Sequence, residues 1–301
     1  MNRIEFERQA KKMGVDRCYF LQPERYALRE NSHGLVENPF DVLPSCTCVI
    51  ALIQGYAPIV PRDHQTVPFS AYYIASNTLY HAARELSGWL LENGAHAYNA
   101  DLPAKTAMRS AGIAELGEHT LMAIAGFGTR FAIQFILTDA FDGQAYENEE
   151  KMVCMHCGRC RAVCPGRAIG KNGFEVQRCL RWHMEGHPMP NWVKENIPSL
   201  FGCELCQLVC PRNQAQRVQA MPDEWADLFQ YERLLILTKE DKKRLAALVG
   251  KNMISRGRVR AQTLCLARRF HPKKAKTWMM CHTTNAEYTE NEQDVMRWVM
   301  M

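Results

Sequence analysis

With 301 residues, 47% hydrophobic residues, 23% charged residues and a formal net charge of +5, the chain has the make-up of a globular protein large enough for one sizeable core and a smaller module. No apolar run approaches bilayer length, and the opening stretch Met1-Asn-Arg-Ile-Glu-Phe-Glu-Arg-Gln-Ala is charged where a secretory signal is apolar; a cytoplasmic protein with no membrane contact is therefore expected. Thirteen cysteines in a reducing compartment point to metal and away from a disulfide framework.

In chain order, Phe6, Ala10 and Met13 recur at helical spacing and Gly14 follows as a stop, which predicts a helix over 2–13. Asp16 to Leu21 reads as a short strand and Cys48-Val-Ile-Ala-Leu-Ile as a buried one, with the aperiodic stretch Arg25 to Pro44 a loop between them. Ala71 to Leu91 carries apolar rows (Leu79, Ala82, Ala83, Leu86, Leu90) and ends at Glu92-Asn93-Gly94, the pattern of a long helix. Ala95 to Ala100 reads as a strand leading into a helix over 103–111, for which Asp101 is a candidate N-cap and Pro103 suits the first turn. His119 to Ala125 and Arg130 to Thr138 look like two strands of a hairpin about Gly126-Phe-Gly128. Asp139 to Met152 is a polar, acidic linker.

The cysteines then gather. Cys154-Met-His-Cys157-Gly-Arg-Cys160-Arg-Ala-Val-Cys164-Pro165 has the C-x2-C-x2-C-x3-C-P spacing in which three close thiolates hold one iron-sulfur cluster and the fourth reaches another. Cys203-Glu-Leu-Cys206-Gln-Leu-Val-Cys210-Pro211 repeats the last three positions, but Leu200 stands where the leading cysteine belongs. Cys179, between the runs, is the natural replacement. Exchanging terminal cysteines as two-cluster ferredoxins do assigns Cys154, Cys157, Cys160 and Cys210 to one 4Fe-4S cubane, and Cys203, Cys206, Cys179 and Cys164 to a second. The rivals are two structural zinc sites or disulfides; zinc knuckles usually come as separated C-x2-C pairs, and the expected compartment disfavours disulfides. Cys18, Cys46, Cys48, Cys265 and Cys281 lack ligand spacing and read as ordinary small hydrophobes.

Beyond Pro211, segments 239–249 and 255–270 are helical in pattern, Pro272 breaks them, and a last helix is expected over 287–301. Between Lys239 and Lys276 basic residues far outnumber Glu240 and Asp241, which fits either a polyanion contact or a solvated helix surface.

Arg178-Cys179 and Phe201-Gly202-Cys203-Glu-Leu-Cys206-Gln207-Leu-Val-Cys210-Pro211 resemble the ferredoxin module of the epoxyqueuosine reductases, whose relatives include the reductive dehalogenases. Thr78-Leu-Tyr80-His81 resembles that family's Asp-Tyr-His helix start, Asp101-Leu-Pro103 through Ala111-Gly112 its Asp-containing loop, and Gly250-Lys-Asn-Met to Arg260 the start of its helical tail. Three departures stand out. The spacing from Asp101 to Ala111-Gly112 is shorter than the family's. Gly117-Glu118-His119 replaces Gly-Lys-Asn or Gly-Lys-His, and Phe127-Gly-Thr-Arg130 with Leu137-Thr-Asp139 sits nearer the dehalogenase side.

The resemblance implies an α/β (α+β) N-terminal cobalamin-binding domain of nitroreductase-like fold over 1–145, a two-cluster ferredoxin-like domain over 146–220 and a short helical tail over 221–301. It implies a cobalamin- and iron-sulfur-dependent reductase, fed by a soluble donor such as ferredoxin or flavodoxin, that removes an oxygen or halogen from its substrate. The leading substrate is the epoxide of the queuosine precursor in tRNA, with Arg256, Arg258 and Arg260 gripping phosphates. The departing group needs an acid, and a carboxyl facing an apolar corrin keeps its proton to higher pH than one in water. Asp101 is the candidate; Tyr80, His81, Lys105, Arg109 and Arg130 are candidates for holding the corrin or an anionic substrate. The other readings are reduction of a small organic molecule by the same chemistry, and an electron carrier with no catalysis of its own.

Overall fold

Two runs of β-branched and aromatic residues, Cys48–Gly55 (β2) and Phe131–Thr138 (β4), pair antiparallel from Cys48↔Thr138 to Gly55↔Phe131 and form the middle of a four-stranded sheet. Arg17–Leu21 (β1) pairs with β2, and Ala97–Ala100 (β3) pairs with β4, giving the order β1-β2-β4-β3, antiparallel throughout. In this computed structural model the described residues are 2–27, 34–146, 152–184, 188–213, 218–254, 257–282 and 288–301. The chain divides into two compact units, Met1–Tyr56 with Ala75–His156, and Ala57–Ile74 with Cys157–Met301. Among the described residues no helix is long and apolar enough to cross a membrane.

In the first unit the first six residues of β2 are all buried, because the sheet is covered on both faces. Side chains alternate across a strand, so Phe20 meets one face and Tyr19 and Leu21 the other. On the Phe20 side, Phe6 of helix Arg3–Lys12 packs edge-on at 6.0 Å from Phe20 and 5.7 Å from Phe141, and reaches Trp89 of helix Tyr72–Glu92 at 6.1 Å. The long helix buries Ala75, Leu79, Ala82, Ala83, Leu86 and Leu90, the apolar row expected from its periodicity. On the other side, Tyr19, Leu21, Val49, Ile53, Phe135 and Leu137 share a core with Leu102, Met108, Ile113 and Ile124.

The second unit is mainly helical. Helix Arg258–Phe270 is its axis, burying every residue from Ala261 to Ala267, with Tyr231–Ile236, Pro272–His282 and Glu290–Met300 packed on it. Phe69 and Phe229 stack at 4.1 Å in the same core. Capping boxes start two of the helices, Thr238 with Asp241 and Thr289 with Glu292.

Three expectations need correction. The segment His119 to Ala125 is not one strand: Met122–Ala123 pairs with Glu115–Leu116, and of the expected hairpin about Gly126 a single antiparallel bridge remains, Ile124 with Gly128. β4 takes its partners from β2 and β3 instead, because strands of eight and four residues offer it more hydrogen bonds than a two-residue run does. Pro272 does not merely end a helix; it opens Pro272–His282, since the first helical position needs no amide hydrogen. The loop between Arg25 and Pro44 contains a single turn of helix, Pro39–Val42, capped by the Asn38 side chain.

Candidate metal centre and the neighbouring polar groups

The helix Arg159–Val163 begins after Gly158, whose φ of 71° lies in the left-handed region where a side chain is strained. Cys160 is buried within it, and Cys164 follows in extended conformation, so successive sulfurs leave the turn in different directions. Cys157 is exposed, whereas Cys154, Cys164, Cys179, Cys203, Cys206 and Cys210 are half-buried. The second run forms the short helix Leu205–Leu208, which packs against Arg159–Val163 and carries Cys206.

Cys179 sits at the joint between the turn Val176–Arg178 and the helix Leu180–His183. It is drawn towards Cys164 by a close backbone approach. A Cβ on Gly166 would lie 1.9 Å from the Arg178 carbonyl oxygen, so only glycine fits there, and Arg178 Nε donates to the Gly166 carbonyl at 3.1 Å. The Ala168 amide donates to Cys164 Sγ at 3.3 Å, the kind of contact that tunes a cluster's potential.

Electrostatics supply the test of fit for iron-sulfur. Burial pushes the thiol of Cys203 up to about 11, and nearby Cys179 and Cys164 push it the same way. Burial likewise raises Cys206 to about 12, with Cys203, Cys179, Cys160 and Cys164 adding to it. Sulfurs so crowded and desolvated resist ionising together; bound iron supplies the positive charge that deprotonates coordinating thiols. The donors are all thiolates, the soft chemistry an iron-sulfur cluster takes, while among the described residues no group of three or more donors is arranged to hold a single metal ion. Burial also raises Cys48 and Cys265 to about 12, as expected of inert core thiols, and Cys46 is buried in the same way.

Several supports were not legible as site residues. Gln262, 2% exposed on helix Arg258–Phe270, accepts from the Phe201 amide at 2.8 Å and donates to the Met184 carbonyl at 3.2 Å. It thereby holds Phe201, at φ 68°, just ahead of Cys203. Ser70 Oγ donates to Glu204 at 2.6 Å, its amide donates to the Leu200 carbonyl at 3.0 Å, and Arg181 bonds the Tyr73 hydroxyl. A buried glutamine is the one signal that sequence offers for such a role, and only after burial is known.

In the first unit, Asp101 is exposed and its carbonyl accepts from the Val36 amide at 2.8 Å. It is not a helix cap: Pro103 holds that position ahead of Ala104–Ser110, and no side chain bonds there. Lys105 and Arg109 are exposed four residues apart on this helix. Tyr80, 42% exposed, accepts from Arg84 at 3.2 Å and meets the exposed His81 edge-on at 5.4 Å. Arg130 is buried at the mouth of β4.

His119 is an unforeseen member of this neighbourhood. It is 5% exposed, and its Nδ1 accepts from the Leu121 amide at 3.2 Å, which places the ring proton of the neutral form on Nε2. A Cβ on Gly117 would strike its ring at 2.5 Å, which explains that glycine. Burial lowers the His119 pKa below its usual value, Glu118 opposes this, and Lys105 adds to it. Glu118 also reaches His156, between the first two cysteines, at 3.2 Å. Because the folded value lies below 6.5, the unfolded chain takes up the proton first as pH falls. Stability of this unit is thus expected to be full above that value and to decline on acidification. His119→Gln should flatten the decline, read as hydrogen-exchange protection in β4 at about pH 7.5 and about pH 5.5. Equal slopes for both proteins would contradict it.

The expected phosphate grip of the tail needs correction. Arg260 spends its guanidinium inside the protein, donating to the carbonyls of Leu235 at 2.8 Å and Ile236 at 2.6 Å and pairing with Glu292 at 3.5 Å. It holds the last turn of Tyr231–Ile236, where carbonyls lack helical partners, so its donors are not offered to solvent. Arg258 donates to the Asn252 carbonyl at 3.4 Å, and Arg256 lies outside the described residues.

Residues 153–213 match the family described as the 4Fe-4S double cluster binding domain, so the chain is a two-cluster iron-sulfur protein with an added α/β unit. Over a longer stretch it is similar to epoxyqueuosine reductases. The one from Alicycliphilus denitrificans is 26% identical over 245 residues, 68% of this chain and 67% of the relative. That from Cellulophaga algicola is 24% identical over 284 residues, covering 82% and 88%. The Xanthomonas campestris and Lactococcus garvieae relatives are matched over only 33% and 18% of their lengths. A crystal structure of selenomethionine-labelled epoxyqueuosine reductase superposes with a TM-score of 0.78 at 16% identity, covering 99% of this chain and 89% of that one. A structure of epoxyqueuosine reductase with an epoxyqueuosine-modified tRNA-Tyr stem loop gives 0.77, again at 16% identity, covering 99% and 88%. The shared fold therefore runs through both units.

Proposed function

We propose that the chain is a cytoplasmic cobalamin- and iron-sulfur-dependent oxidoreductase that removes the epoxide oxygen of epoxyqueuosine in a tRNA anticodon loop. The observation carrying this is the coincidence of a double-cluster domain with a fold that follows epoxyqueuosine reductase along 99% of the chain. The labour divides into a nitroreductase-like cobalamin and substrate part over 1–145, a ferredoxin-like part over 146–220 and a helical tail over 221–301. Cys154, Cys157, Cys160 and Cys210 hold one cubane; Cys164, Cys179, Cys203 and Cys206 hold the other.

A corrin presents amide-bearing side chains around an apolar ring, and the exposed donors Tyr80, His81, Lys105 and Arg109, with buried Arg130, are of the type its rim requires. When bound, the cobalt supplies the reducing chemistry and the clusters supply its electrons one at a time. Converting an epoxide to an alkene consumes two electrons and two protons and releases water. Asp101, exposed ahead of the helix Ala104–Ser110, donates a proton to the departing oxygen. With Arg260 committed internally, the exposed lysines Lys242, Lys243, Lys251 and Lys273 provide the phosphate contacts.

Anaerobically reconstituted protein should carry about eight iron atoms and about one cobalamin per chain. Under a low-potential reductant it should remove one oxygen from an epoxyqueuosine stem loop, read by mass. Iron without corrin affinity returns the protein to the class of electron carriers; corrin binding without turnover on the stem loop points to a small organic substrate.

A further inference from the structure

The cysteine run from Val153 to Cys164 contains Arg159 and Arg161 but no acidic residue, so an acid beside it has to come from elsewhere in the chain. The fold brings one. Glu118, in the departure Gly117-Glu118-His119 from the reductase pattern, places its Oε1 3.2 Å from Nδ1 of His156, between Cys154 and Cys157.

Both partners are held in place by their own segments. Glu115–Leu116 pairs with Met122–Ala123, and the turn joining them closes with the Gly117 amide donating to the Leu121 carbonyl at 3.0 Å and the Thr120 amide to the Gly117 carbonyl at 2.8 Å. The His119 ring lies over Gly117 and accepts from the Leu121 amide, which stiffens the turn that carries Glu118. His156 sits at φ 50°, in the left-handed region that a residue with a side chain enters at a cost, so contacts from outside its loop must help to keep it there. Glu118 makes such a contact.

The Glu118 side chain is only 18% exposed, and a carboxylate withdrawn from water is screened less than one in solvent. Reducing a cubane adds a negative charge to it, and cluster potentials follow the local charge, hydrogen bonds and exposure. A carboxylate bonded to the residue next to Cys157 opposes that added charge. In its neutral form an imidazole donating through Nδ1 leaves the carboxylate's charge uncancelled.

We propose that Glu118, acting through His156, sets the potential of the cubane held by Cys154, Cys157, Cys160 and Cys210, keeping it low so that the reduced cluster is a strong one-electron donor. This rests on the proposed assignment of those four cysteines to one cluster, and needs neither the corrin nor the tRNA substrate.

The test is a potentiometric titration of anaerobically reconstituted full-length protein, without corrin or substrate, followed by electron paramagnetic resonance. Glu118→Gln keeps an acceptor of the same size and removes the charge; Glu118→Lys reverses it. The midpoint of one cubane, the one that Cys179→Ala retains, should rise in Glu118→Gln and rise further in Glu118→Lys. In the lysine variant the ratio of reduced to oxidised cluster at a fixed potential should grow at least about tenfold, which is about 59 mV for one electron. The other midpoint and the iron content should stay at the parent values. Parental midpoints in Glu118→Gln overturn the proposal, even where Glu118→Lys shifts, because a brace that needs only an acceptor is satisfied by the amide. A rise at the other cubane, or an equal rise at both, overturns it too. If Glu118→Lys loses iron, Glu118→Gln decides alone. Failure of the underlying assignment looks different: a parent protein without two reducible cubanes removes the cluster reading, and this inference with it, before any variant is compared.

Discussion

Replacing Cys179 by alanine is expected to abolish turnover and to lower bound iron from about eight towards about four atoms per chain, with the electron paramagnetic signal of one reduced cubane lost. Cys179 lies outside both close-spaced runs, yet the Gly166–Arg178 contact draws its segment to that of Cys164, and Cys203 and Cys206 both feel its charge. Removing one of four thiolates leaves an iron without its protein ligand, while the set Cys154, Cys157, Cys160 and Cys210 keeps all of its sulfurs. Cys265→Ala is the control, because that thiol is buried in the core of the helical unit and its loss should leave iron content unchanged. Full iron and both signals in Cys179→Ala would remove the assignment of the second cubane.

Asp101→Asn is expected to lower kcat on the order of 10²–10⁴-fold with little change in KM, since asparagine keeps the size of the side chain but has no proton to give at neutral pH. Iron content, cobalamin stoichiometry and stem-loop affinity should match the parent. The structural objection to this residue, that it merely caps a helix, does not hold, because Pro103 occupies that position and no side chain bonds there. Nor is the fold expected to suffer: the side chain is exposed, and the bond that Asp101 makes to Val36 is through its backbone carbonyl. A variant that turns over at the parental rate would pass the proton to another group, with His119 the next to test.

Local chemistry explains what could be read early. The first cysteine run declares itself because three ligands of a cubane fall between Cys154 and Cys160, and the fourth leaves where the helix Arg159–Val163 ends at Cys164. The long helix Tyr72–Glu92 and the strands β2 and β4 were equally visible, because burying one row or a whole strand imposes a period on the residues. The hairpin expected about Gly126 shrinks to one antiparallel bridge, Ile124 with Gly128, for the converse reason: a run such as His119 to Ala125 satisfies strand preference, but which strand it pairs with depends on what else is available at the sheet.

The sequence by itself determined that this protein gathers sulfur for two clusters, that it has an α/β portion and a helical portion, and that its tail is basic. Tertiary structure alone decided which arginine is spent internally, that a buried glutamine props Phe201 before Cys203, that Glu118 stands against His156, and that Trp182 is left in water beside Cys179. The division has a physical cause. Ligand spacing and amphipathic period are satisfied within a turn or two of chain, whereas a long polar side chain chooses among partners that only the packed fold brings within hydrogen-bonding reach.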